Sequence, residues 1–563
     1  MQTAAHTWTP IDTSKVKWPM RVMPSLADFA FLLPAMLLFF RMPGTKILFA
    51  DGDTGWHIRT GEWILQHAAV PKEDLFSFTK PHAAWFAWEW GWDVLFALVH
   101  KFWGLSGVGF VTVFLLGLSS LLLYRLVVRA CGNEALGFFV TAIAVCGTTG
   151  HWLARPHLFS WIFFLIFLHL LRNAEEGNKK ALLWLPFLTV LWCNIHGAFF
   201  IGIAAVLTTA LGVAIETCWR EGEADDSAPD WGALARSMLT QAKPYLLCTA
   251  ACAVATFVNP YGWHLHQHIA AYLTDSMIMD SIQEFQSTSF HGGQAIFFEI
   301  MLLAGGSAIF WSFRSRKATA ALLVLCWAHL ALVAGRNIPF FLMVAAPPVA
   351  CLLQDVILRS IRASLLGSFF SNLHEICSEL RIFERVRRVH VLSALAVLSV
   401  AVLFTSGQKG FEGEFNSESF PHQAISVIES SSAKRIFTYD QWGDYLIYRL
   451  YPSRKVFMDG RSDFYGDDFL VSTQHIIGGQ FDWSQQLSRF AVDMVIVKPD
   501  APLSTILKTA PGWKLLFDDG KVLIFETESR RHERSISAGY SARGQWALGY
   551  WQLENLLYER RSS

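Results

Sequence analysis

Charged residues are scarce in this sequence: Asp, Glu, Lys and Arg make up only 16% of its 563 residues. An ordinary soluble domain carries roughly 25%. Basic and acidic residues balance to a formal net charge of zero, so no overall positive field favours binding to nucleic acid. With 53% hydrophobic residues and a mean hydropathy of +0.33, the composition excludes an ordinary soluble protein and predicts an integral membrane protein.

Closely spaced cysteine pairs are also missing, and a cleavable leader is not predicted. None of the nine cysteines belongs to a CxxC pair, and all precede residue 407. The closest, Cys248 and Cys252, lie in an apolar run, where thiols behave as small buried hydrophobes. Neither a disulfide framework nor a zinc site is therefore predicted. A basic stretch from Lys15 to Arg21 leads directly into a long apolar segment, which predicts an uncleaved first span.

Apolar stretches recur throughout the first 406 residues. A helix needs about 20 mostly apolar residues to cross the hydrocarbon layer of a membrane. Eleven spans are predicted, near residues 25–41, 106–127, 135–150, 156–171, 181–195, 198–217, 244–258, 295–312, 318–334, 338–354 and 390–406. We therefore expect a mainly α protein in which residues 1–406 form a polytopic transmembrane helical bundle.

The distribution of basic residues among the loops predicts the orientation of these spans. With the N-terminus inside, the inner loops carry most of the Lys and Arg, whereas the outer loops after the first nearly lack them, apart from Arg155 and Arg336. Positive charge gathers on the cytoplasmic side of membrane proteins. We expect a multi-pass protein of the cell's inner membrane with a cytoplasmic N-terminus. An odd number of spans places everything after residue 407 outside the cytoplasm.

Residues 407–527 have a different pattern, which predicts a small extracytoplasmic α/β domain. Short runs rich in β-branched and aromatic residues indicate buried strands. They lie at 435–440, 455–460, 492–498 and 521–527. Amphipathic helical stretches between these runs predict a largely parallel, layered sheet.

The loops of this domain carry polar residues with two possible roles: Asp440, Trp442, Asp459, Arg461, Asp463 and Tyr465. At the carboxyl ends of strands such residues bind ligands. The alternative is that they cap loops and dock onto the membrane part. The Arg- and Ser-rich tail at 528–563 is expected either to be disordered or to form an interfacial helix.

Polar and charged residues concentrate in the predicted outer loops. The first outer loop contains Asp51, Asp53, His57 and Glu89, and later outer turns contain Arg155, His157, His196, Asn259 and Arg336. Charged groups near the membrane are costly and usually have a function. The inner loops hold mainly the scattered basic residues that orientation explains. This asymmetry predicts one polar site at the outer face.

Asp51 and Asp53 flank a glycine directly before a predicted helix. A carboxylate pair of this kind either holds a divalent cation or takes a proton from an attacking hydroxyl group. The alternative is that Asp51 and Asp53 only cap the helix. We predict that both residues are catalytic, and that they are the ligands of any metal bound there.

The remaining candidate residues are predicted to bind substrate or phosphate: His57, Glu89, Arg155, His157, His196, Asn259 and Arg336. An isolated guanidinium suits a phosphate group through bidentate hydrogen bonds, although it can also reach lipid headgroups. For His57 and Glu89 the alternative is a structural role in an aromatic loop. For His196 and Asn259 it is hydrogen bonding to the backbone at tight turns.

Four tryptophans lie close together in the first outer loop: Trp85, Trp88, Trp90 and Trp92. Tryptophan is enriched at membrane interfaces, and it also packs around pockets. A belt at the membrane interface is predicted in preference to a platform for a sugar ring.

The stretch DGDTGWHIRTGEWILQH, which follows one apolar span, resembles the first outer loop of type C glycosyltransferases. It is most similar to bacterial membrane proteins of that superfamily whose loop reads Asp-x-Asp-x-x-Trp-His. The segments LARPH, NIHG, VNPYG, GRN, YDQWGDYLIYRLYP and VFMDGRSDFYG are similar to the same group. The resemblance covers most of the chain.

This resemblance implies an enzyme that takes a sugar from a polyprenyl phosphate in the membrane and transfers it to a glycan, lipid or protein acceptor in the envelope. A carboxylate matching Asp51 or Asp53 would activate the acceptor or help to bind a metal. The resemblance leaves open whether a divalent cation, Mg²⁺ or Mn²⁺, is required. From their chemistry and position, Arg155 and Arg336 are expected to stabilise the departing lipid phosphate. Membrane lipids are expected partners, and nucleic acid is not.

Two other functions are compatible with the sequence. A transporter or lipid flippase would show internal repeats and polar groups near the middle of the membrane; we find no clear repeat, and the polar residues lie at one boundary. A non-catalytic envelope-assembly protein would instead work through the domain at 407–527.

Overall fold

The computed structural model describes residues 18–222, 230–362, 388–408 and 410–527, together with five residues between 380 and 386. The predicted tail at 528–563 lies outside the described residues. Contacts divide the chain into two compact units. The first contains the described residues up to His422 together with Tyr439–Val471, and the second contains Gln423–Thr438 together with the described residues from Ser472 onward.

The first unit is built mainly from α-helices. Those before residue 406 are α1 (Trp18–Val22), α2 (Leu26–Phe40), α3 (Asp53–His67), α4 (Trp90–Cys131), α5 (Glu134–Gly147), α6 (His157–Glu175), α7 (Trp184–Cys193), α8 (Phe199–Gly222), α9 (Trp231–Ala255), α10 (Trp263–Thr274), α11 (Ser276–Ser281), α12 (Ile296–Arg314), α13 (Ala318–Val333), α14 (Ile338–Arg362) and α15 (Val391–Thr405). Short 3-10 turns connect several of them, including Gln283–Phe285 and Gly335–Asn337.

Six helical segments among the described residues are long and apolar enough to cross a membrane, as expected for a multi-pass membrane protein. They are Trp18–Phe40, Trp90–Cys131, His157–Glu175, Phe199–Gly222, Ile296–Arg314 and Gly335–Ile361. The other predicted spans also fall on helices, but α5, α7, α13 and α15 are shorter, and α9 is not among the candidates. The total of about eleven spans therefore stays a prediction.

The first outer loop leads into a helix that is interrupted once. Helix α4 contains one residue with non-helical dihedral angles, Gly104, at φ 62° and ψ −161°. Glycine adopts this conformation without the steric cost that a side chain brings. Residues 90–103 thus form a helical segment of their own that precedes the long apolar part of α4.

Helices α3 and α4 pack closely because of a glycine at their contact. A Cβ atom at Gly61 would lie only 1.9 Å from the backbone oxygen of Asp93. No other residue leaves room for this approach. The contact brings the helix that follows Asp53 against the start of α4, directly after Glu89.

The remaining elements lie after residue 422. They are α16 (Ala424–Ser430), β1 (Arg435–Phe437), α17 (Asp440–Leu450), β2 (Lys455–Val456), α18 (Ser462–Tyr465), α19 (Asp467–Ile477), α20 (Trp483–Arg489), β3 (Met494–Val497), α21 (Pro502–Leu507), β4 (Trp513–Asp518) and β5 (Leu523–Thr527). All four predicted strands are present in shortened form, and β4 is an additional strand.

The second unit contains a mixed sheet with the strand order β1-β3-β5-β4. Strands β1 and β3 are parallel, whereas β3 pairs with β5, and β5 with β4, in antiparallel fashion. The prediction of a largely parallel sheet is therefore wrong. The reason is the turn at Asp519 and Gly520, which has φ +79° at the glycine and joins β4 to β5 as a hairpin, the connection that antiparallel strands allow.

Residues 439–471 belong to the unit that holds the membrane helices. The backbone N–H of Gly52 donates to Oε1 of Gln441 at 2.8 Å, and Oγ1 of Thr79 donates to the carbonyl oxygen of Phe457 at 2.8 Å. The segment thus docks onto the first outer loop. The division into 1–406 and 407–527, which refers to the membrane, stays a prediction.

Candidate active site

A cavity of about 370 Å³ lies within the first unit. Its wall combines charged groups with aromatic and aliphatic ones. The charged and imidazole residues that line it are Asp53, Glu89, His151, Arg155, His157, His196, Glu284, Arg336, Arg461 and Asp463. Six of the nine residues predicted to form the site are among them, contributed by four of the predicted outer loops and turns.

Arg155 links the two aspartates of the first outer loop. Its Nη1 atom donates to Oδ2 of Asp51 at 2.9 Å, and its Nη2 atom lies 2.7 Å from Oδ2 of Asp53. The other carboxylate oxygen of Asp51 accepts the backbone N–H of Asp53 at 2.9 Å, which fixes the backbone at the start of α3. Asp51 therefore belongs to the polar cluster, and neither aspartate is the N-cap residue of α3, which is Gly52.

Asp53 and Asp444 direct carboxylate oxygens toward Gly460. A Cβ atom at position 460 would lie 2.5 Å from Oδ1 of Asp53 and 2.7 Å from Oδ2 of Asp444, so a side chain there would collide with both. Within the described part of the chain these two oxygens are buried and accept no hydrogen bond. The remaining oxygen of Asp444 accepts the backbone N–H of Gly460 at 2.8 Å, which holds this segment beside Asp53.

Glu89 lies between two histidines. Its Oε2 atom is 3.6 Å from Nε2 of His57, and its Oε1 atom is 3.5 Å from Nε2 of His196. On their far sides, His57 Nδ1 lies 2.6 Å from Oδ1 of Asp93, and His196 Nδ1 lies 2.7 Å from Oγ of Ser160. His57 is buried and does not line the cavity. His57 therefore contacts Glu89 on the side that faces away from the cavity.

Arg336 approaches the cavity from the turn before α14. Its Nη1 atom lies 3.6 Å from Oε1 of Glu284, and its guanidinium carbon lies 4.4 Å from the ring centroid of Phe285. The other oxygen of Glu284 lies 3.7 Å from Arg155. Glu284 therefore stands between the two arginines, and Arg336 has fewer carboxylate neighbours than Arg155.

The carboxyl groups of the site differ in their pKa values. Burial raises the pKa of Asp53 to about 8, against the opposing charge of Arg155. Burial likewise raises the pKa of Glu89 to about 8. For Glu284 the arginines outweigh burial, and they lower its pKa to about 2. The carboxyl groups of Asp53 and Glu89 can thus each take up or release a proton near neutral pH, whereas Glu284 keeps its negative charge.

A divalent cation does not fit the two predicted metal ligands in this arrangement. Oxygen atoms of Asp51 and Asp53 have the chemistry that Mg²⁺ and Mn²⁺ prefer, but one oxygen of each is already held by Arg155. The described residues contain no group of three or more His, Cys, Asp or Glu side chains suited to a metal. The role of Asp51 and Asp53 as metal ligands stays a prediction.

Two predicted site residues, His157 and Asn259, form hydrogen bonds with backbone groups. His157 lines the cavity, and its Nε2 atom hydrogen-bonds the carbonyl oxygen of His151 at 2.8 Å. Asn259 does not line the cavity: its Nδ2 atom donates to the carbonyl oxygen of Thr256 at 2.7 Å, and its Oδ1 atom accepts the backbone N–H of Tyr261 at 2.8 Å. Its contacts therefore match the alternative role, hydrogen bonding to the backbone at a tight turn.

The preference for a tryptophan belt at the membrane interface is wrong for most of the cluster. Trp92 is fully buried and Trp85 nearly so, so neither presents its ring to lipid. Trp85 and Trp88 both line the cavity. The reason is that segment 439–471 and the turn at Gly197 cover this part of the loop; a Cβ atom at Gly197 would lie 3.1 Å from the Trp88 ring.

Several cavity residues were not among the predicted site residues, notably Glu284, Arg461 and Asp463. Arg461 and Asp463 were singled out only as loop residues with two possible roles. Their loop docks onto the first outer loop and lines the cavity, and ligand binding by these two residues stays a prediction. Asp444 was not considered. Its signal is a carboxylate on the buried face of the amphipathic helix α17, which is unfavourable unless it has a role.

The described helices and this cavity define a polytopic membrane protein with a cavity that combines charged and apolar groups. No family model and no curated protein matches its sequence. Among solved structures, the apo oligosaccharyltransferase of Archaeoglobus fulgidus aligns with a TM-score of 0.53 and 11% identity over 95% of this chain and 75% of its own. The archaeal oligosaccharyltransferase AglB from Archaeoglobus fulgidus, in complex with an inhibitory peptide and a dolichol-phosphate, aligns with a TM-score of 0.52 and 10% identity over 93% of this chain and 74% of its own.

A third structure, the Archaeoglobus fulgidus oligosaccharyltransferase of the apo structure in complex with Zn and sulfate, aligns with a TM-score of 0.51 and 11% identity over 89% of this chain and 73% of its own. The chain is therefore similar in fold to a type C glycosyltransferase along most of its length. The resemblance inferred from the outer-loop motifs is confirmed at the level of fold.

Proposed function

We propose that this protein is a membrane glycosyltransferase that moves a sugar from a polyprenyl-phosphate donor to an acceptor in the cell envelope. The observation that carries the proposal is the composition of one cavity: the Asp53 carboxylate, two arginines and an apolar wall meet in it. A reaction between a lipid-linked anion and a hydroxyl group needs all three.

The apolar part of the cavity wall supports a lipid donor. Ile269, Leu273, Met279, Leu330 and Phe340 line it. Aliphatic and aromatic surface of this kind binds a hydrocarbon chain through the hydrophobic effect. AglB, which has a similar fold, was solved with a dolichol-phosphate, and a polyprenyl phosphate is the corresponding ligand that we propose here.

Asp53 is proposed to act as the general base. Its Oδ2 atom is held by Arg155, which leaves Oδ1 without a hydrogen-bond partner among the described residues. In the transfer step this oxygen takes the proton of the acceptor hydroxyl while the acceptor oxygen bonds to the anomeric carbon of the sugar. A base with a pKa near the working pH suits this task.

Arg336 is proposed to stabilise the leaving group. As the bond between the anomeric carbon and the phosphate oxygen breaks, the electron pair stays on the phosphate and its negative charge grows. Among the described residues, Arg336 has one carboxylate neighbour within 4 Å, Glu284 at 3.6 Å, whereas Arg155 is shared among Asp51, Asp53 and Glu284. The guanidinium with less charge already compensated is better suited to a second anion. Arg155 then mainly orients the carboxylates.

We further propose that the cavity opens to the outer face of the inner membrane, with the N-terminus in the cytoplasm. The alternation of basic residues between loops supports this orientation. Lipid-linked sugars are the donors suited to that side, because nucleotide sugars are confined to the cytoplasm.

The test uses cells that lack the protein, since the sugar and acceptor need not be known beforehand. Envelope glycans of the deletion strain and of the parent are compared by mass spectrometry, and we expect a sugar-bearing species to be missing. The wild-type chain should restore it, whereas Asp53→Asn should not, although it is inserted and folded. Asp468→Asn, at an exposed carboxylate, is the matched control and should restore it. Full restoration by both Asp51→Ala and Asp53→Ala would refute the assignment.

A further inference from the structure

We propose that Trp88, Arg461 and Asp463 form a carbohydrate subsite that binds one pyranose ring inside the cavity. The proposal rests on the proposed function and deepens it, because it assigns residues to the sugar itself and not to the phosphate or the lipid. All three residues line the cavity.

Arg461 is a buried guanidinium with one terminal nitrogen to spare. Only 3% of the residue is exposed. Its Nε and Nη2 atoms each donate to Asp459 at 2.7 Å, and Nη2 also donates to Asp74 at 2.7 Å. Its carbon lies 4.5 Å from the ring centroid of Trp85, so the side chain is fixed on several sides.

The remaining nitrogen of Arg461, Nη1, is buried and has no hydrogen-bond partner in the described part of the chain. Leaving a buried donor unpaired costs roughly 1–3 kcal/mol in typical proteins, more for a charged group. Because Arg461 is also part of the cavity wall, a ligand in the cavity is the natural acceptor for this nitrogen.

Asp463 supplies the acceptor that complements this donor. Its side chain is mostly buried, and its Oδ2 atom lies 2.9 Å from Nε2 of His268. A carboxylate has lone pairs for about four hydrogen bonds, so this contact leaves capacity for hydroxyl groups. The His268 ring in turn packs against Trp88, with the ring centroids 4.9 Å apart, which brings the carboxylate and the indole to the same part of the wall.

Trp88 supplies an apolar surface. Its ring is packed edge-on with His268 and with Tyr272, and the absent side chain of Gly197 leaves it room on another side. A pyranose has C–H groups on its faces and hydroxyl groups around its rim. An aromatic ring beside one fixed donor and one fixed acceptor matches both features.

Other occupants fit these three residues less well. A phosphate would face the carboxylates of Asp463 and Asp459, and a hydrocarbon chain would leave Nη1 of Arg461 unpaired. A sugar is neutral and both donates and accepts hydrogen bonds, so it satisfies Arg461 and Asp463 together. The ring belongs either to the lipid-linked donor or to a glycan acceptor, and the two sources share this chemistry.

The experiment uses the full chain in lipid nanodiscs and native mass spectrometry of retained ligands. Three probes are supplied separately: undecaprenyl phosphate, the organic-solvent extract of the source membranes, and the water-soluble glycan fraction of the same envelope. We expect the wild type to retain undecaprenyl phosphate and a sugar-bearing species from one of the two natural fractions. Retention from the organic extract identifies the ring as the donor's, and retention from the glycan fraction identifies it as the acceptor's.

The variants Trp88→Ala and Asp463→Asn should retain roughly tenfold less of the sugar-bearing species, as expected when one good contact is lost, and should retain undecaprenyl phosphate as the wild type does. Trp88→Phe keeps an aromatic face, so its retention of the sugar-bearing species should fall less than that of Trp88→Ala. Trp103→Ala, at an exposed ring, and Asp468→Asn are the matched controls and should bind both as the wild type does.

Two results overturn the subsite. One is retention of the sugar-bearing species by Trp88→Ala and Asp463→Asn at the wild-type level. The other is a wild type that retains undecaprenyl phosphate but no sugar-bearing species from either fraction. A wild type that does not retain undecaprenyl phosphate at all contradicts the proposed function as well, so the two failures are distinguishable.

Discussion

The Nη2 atom of Arg155 lies 2.7 Å from the Oδ2 atom of Asp53. Because Nη1 of the same guanidinium donates to Asp51, a single side chain holds both carboxylates of the first outer loop. The flat fork of the guanidinium allows this double contact, which a lysine ammonium does not reproduce. The arrangement fixes one oxygen of Asp53 and leaves the other beside Gly460.

We expect Arg155→Lys to reduce restoration of the envelope glycan by roughly 100-fold, because a misplaced Asp53 costs about this much in rate. Glycan mass spectrometry of complemented deletion cells measures the loss, and a melting temperature near that of the wild type excludes unfolding as its cause. Arg359→Lys, at an exposed ion pair, is the control and should behave as the wild type. Wild-type restoration by Arg155→Lys would show that the double contact is not needed.

Gly460→Ala should inactivate the site. The new Cβ atom would lie 2.5 Å from Asp53 and 2.7 Å from Asp444, so both carboxylates have to move or the chain has to shift, at a cost of about 1–3 kcal/mol. We expect lost restoration of the glycan and a lower melting temperature. Gly306→Ala meets no atom within 4 Å, lies in α12, and should leave both unchanged or raise stability. Equal behaviour of the two variants would contradict the close approach.

The pKa of Glu89 predicts a pH dependence of stability. Burial raises it to about 8 from an ordinary value of 4.5, so the folded state binds the proton more tightly than the unfolded state. Its contribution is fully present below about pH 4.5 and is lost as the pH rises through about 8. The melting temperature of Glu89→Gln, which cannot ionise, should therefore fall less between about pH 6 and about pH 9 than that of the wild type.

This difference is measured by thermal unfolding of both proteins in the same nanodiscs across the pH range. Glu73→Gln, at a largely exposed carboxylate, is the control and should follow the wild type. Parallel curves for Glu89→Gln and the wild type would mean that Glu89 is not protonated in the folded protein at neutral pH.

Asn259→Ala should affect stability and not the reaction. Its side chain bonds the backbone at Thr256 and Tyr261, and losing these contacts costs about 1–3 kcal/mol. We expect a lower melting temperature, and restoration of the envelope glycan at the wild-type level at temperatures where the variant remains folded. Loss of glycan transfer with an unchanged melting temperature would return Asn259 to the binding role predicted from the sequence.

Arg155 and a divalent cation compete for the same carboxylates. We therefore expect Arg155→Ala to bind Mn²⁺ about tenfold more tightly than the wild type, measured by electron paramagnetic resonance with the full chain in nanodiscs. Adding Asp53→Asn to Arg155→Ala should remove the gain. Tight Mn²⁺ binding by the wild type that Arg155→Ala weakens would instead mean that the guanidinium belongs to a metal-binding arrangement.

The sequence predicts the helices and the polar surface well because both are local properties. A span such as α8 is recognisable from its own apolar residues, and the motifs around Asp53, Arg155 and Arg336 each indicate a polar turn. The pairing of strands in the sheet was harder to predict from the sequence. Strand β4 was overlooked, because its polar and apolar residues do not form a continuous apolar run, and its hairpin with β5 makes that part of the sheet antiparallel.

By itself, the sequence determined that this is a multi-pass membrane protein and that its acidic, imidazole and isolated basic residues collect in a few loops, since hydropathy and turn composition can be read within short windows. Only the tertiary structure decided which of those residues meet. Gly460 and Arg461 reach the cavity through the docking of 439–471 onto the first outer loop, whereas the Asn259 side chain bonds to nearby backbone. Contacts between distant segments depend on how helices pack in three dimensions, and no local spacing encodes them.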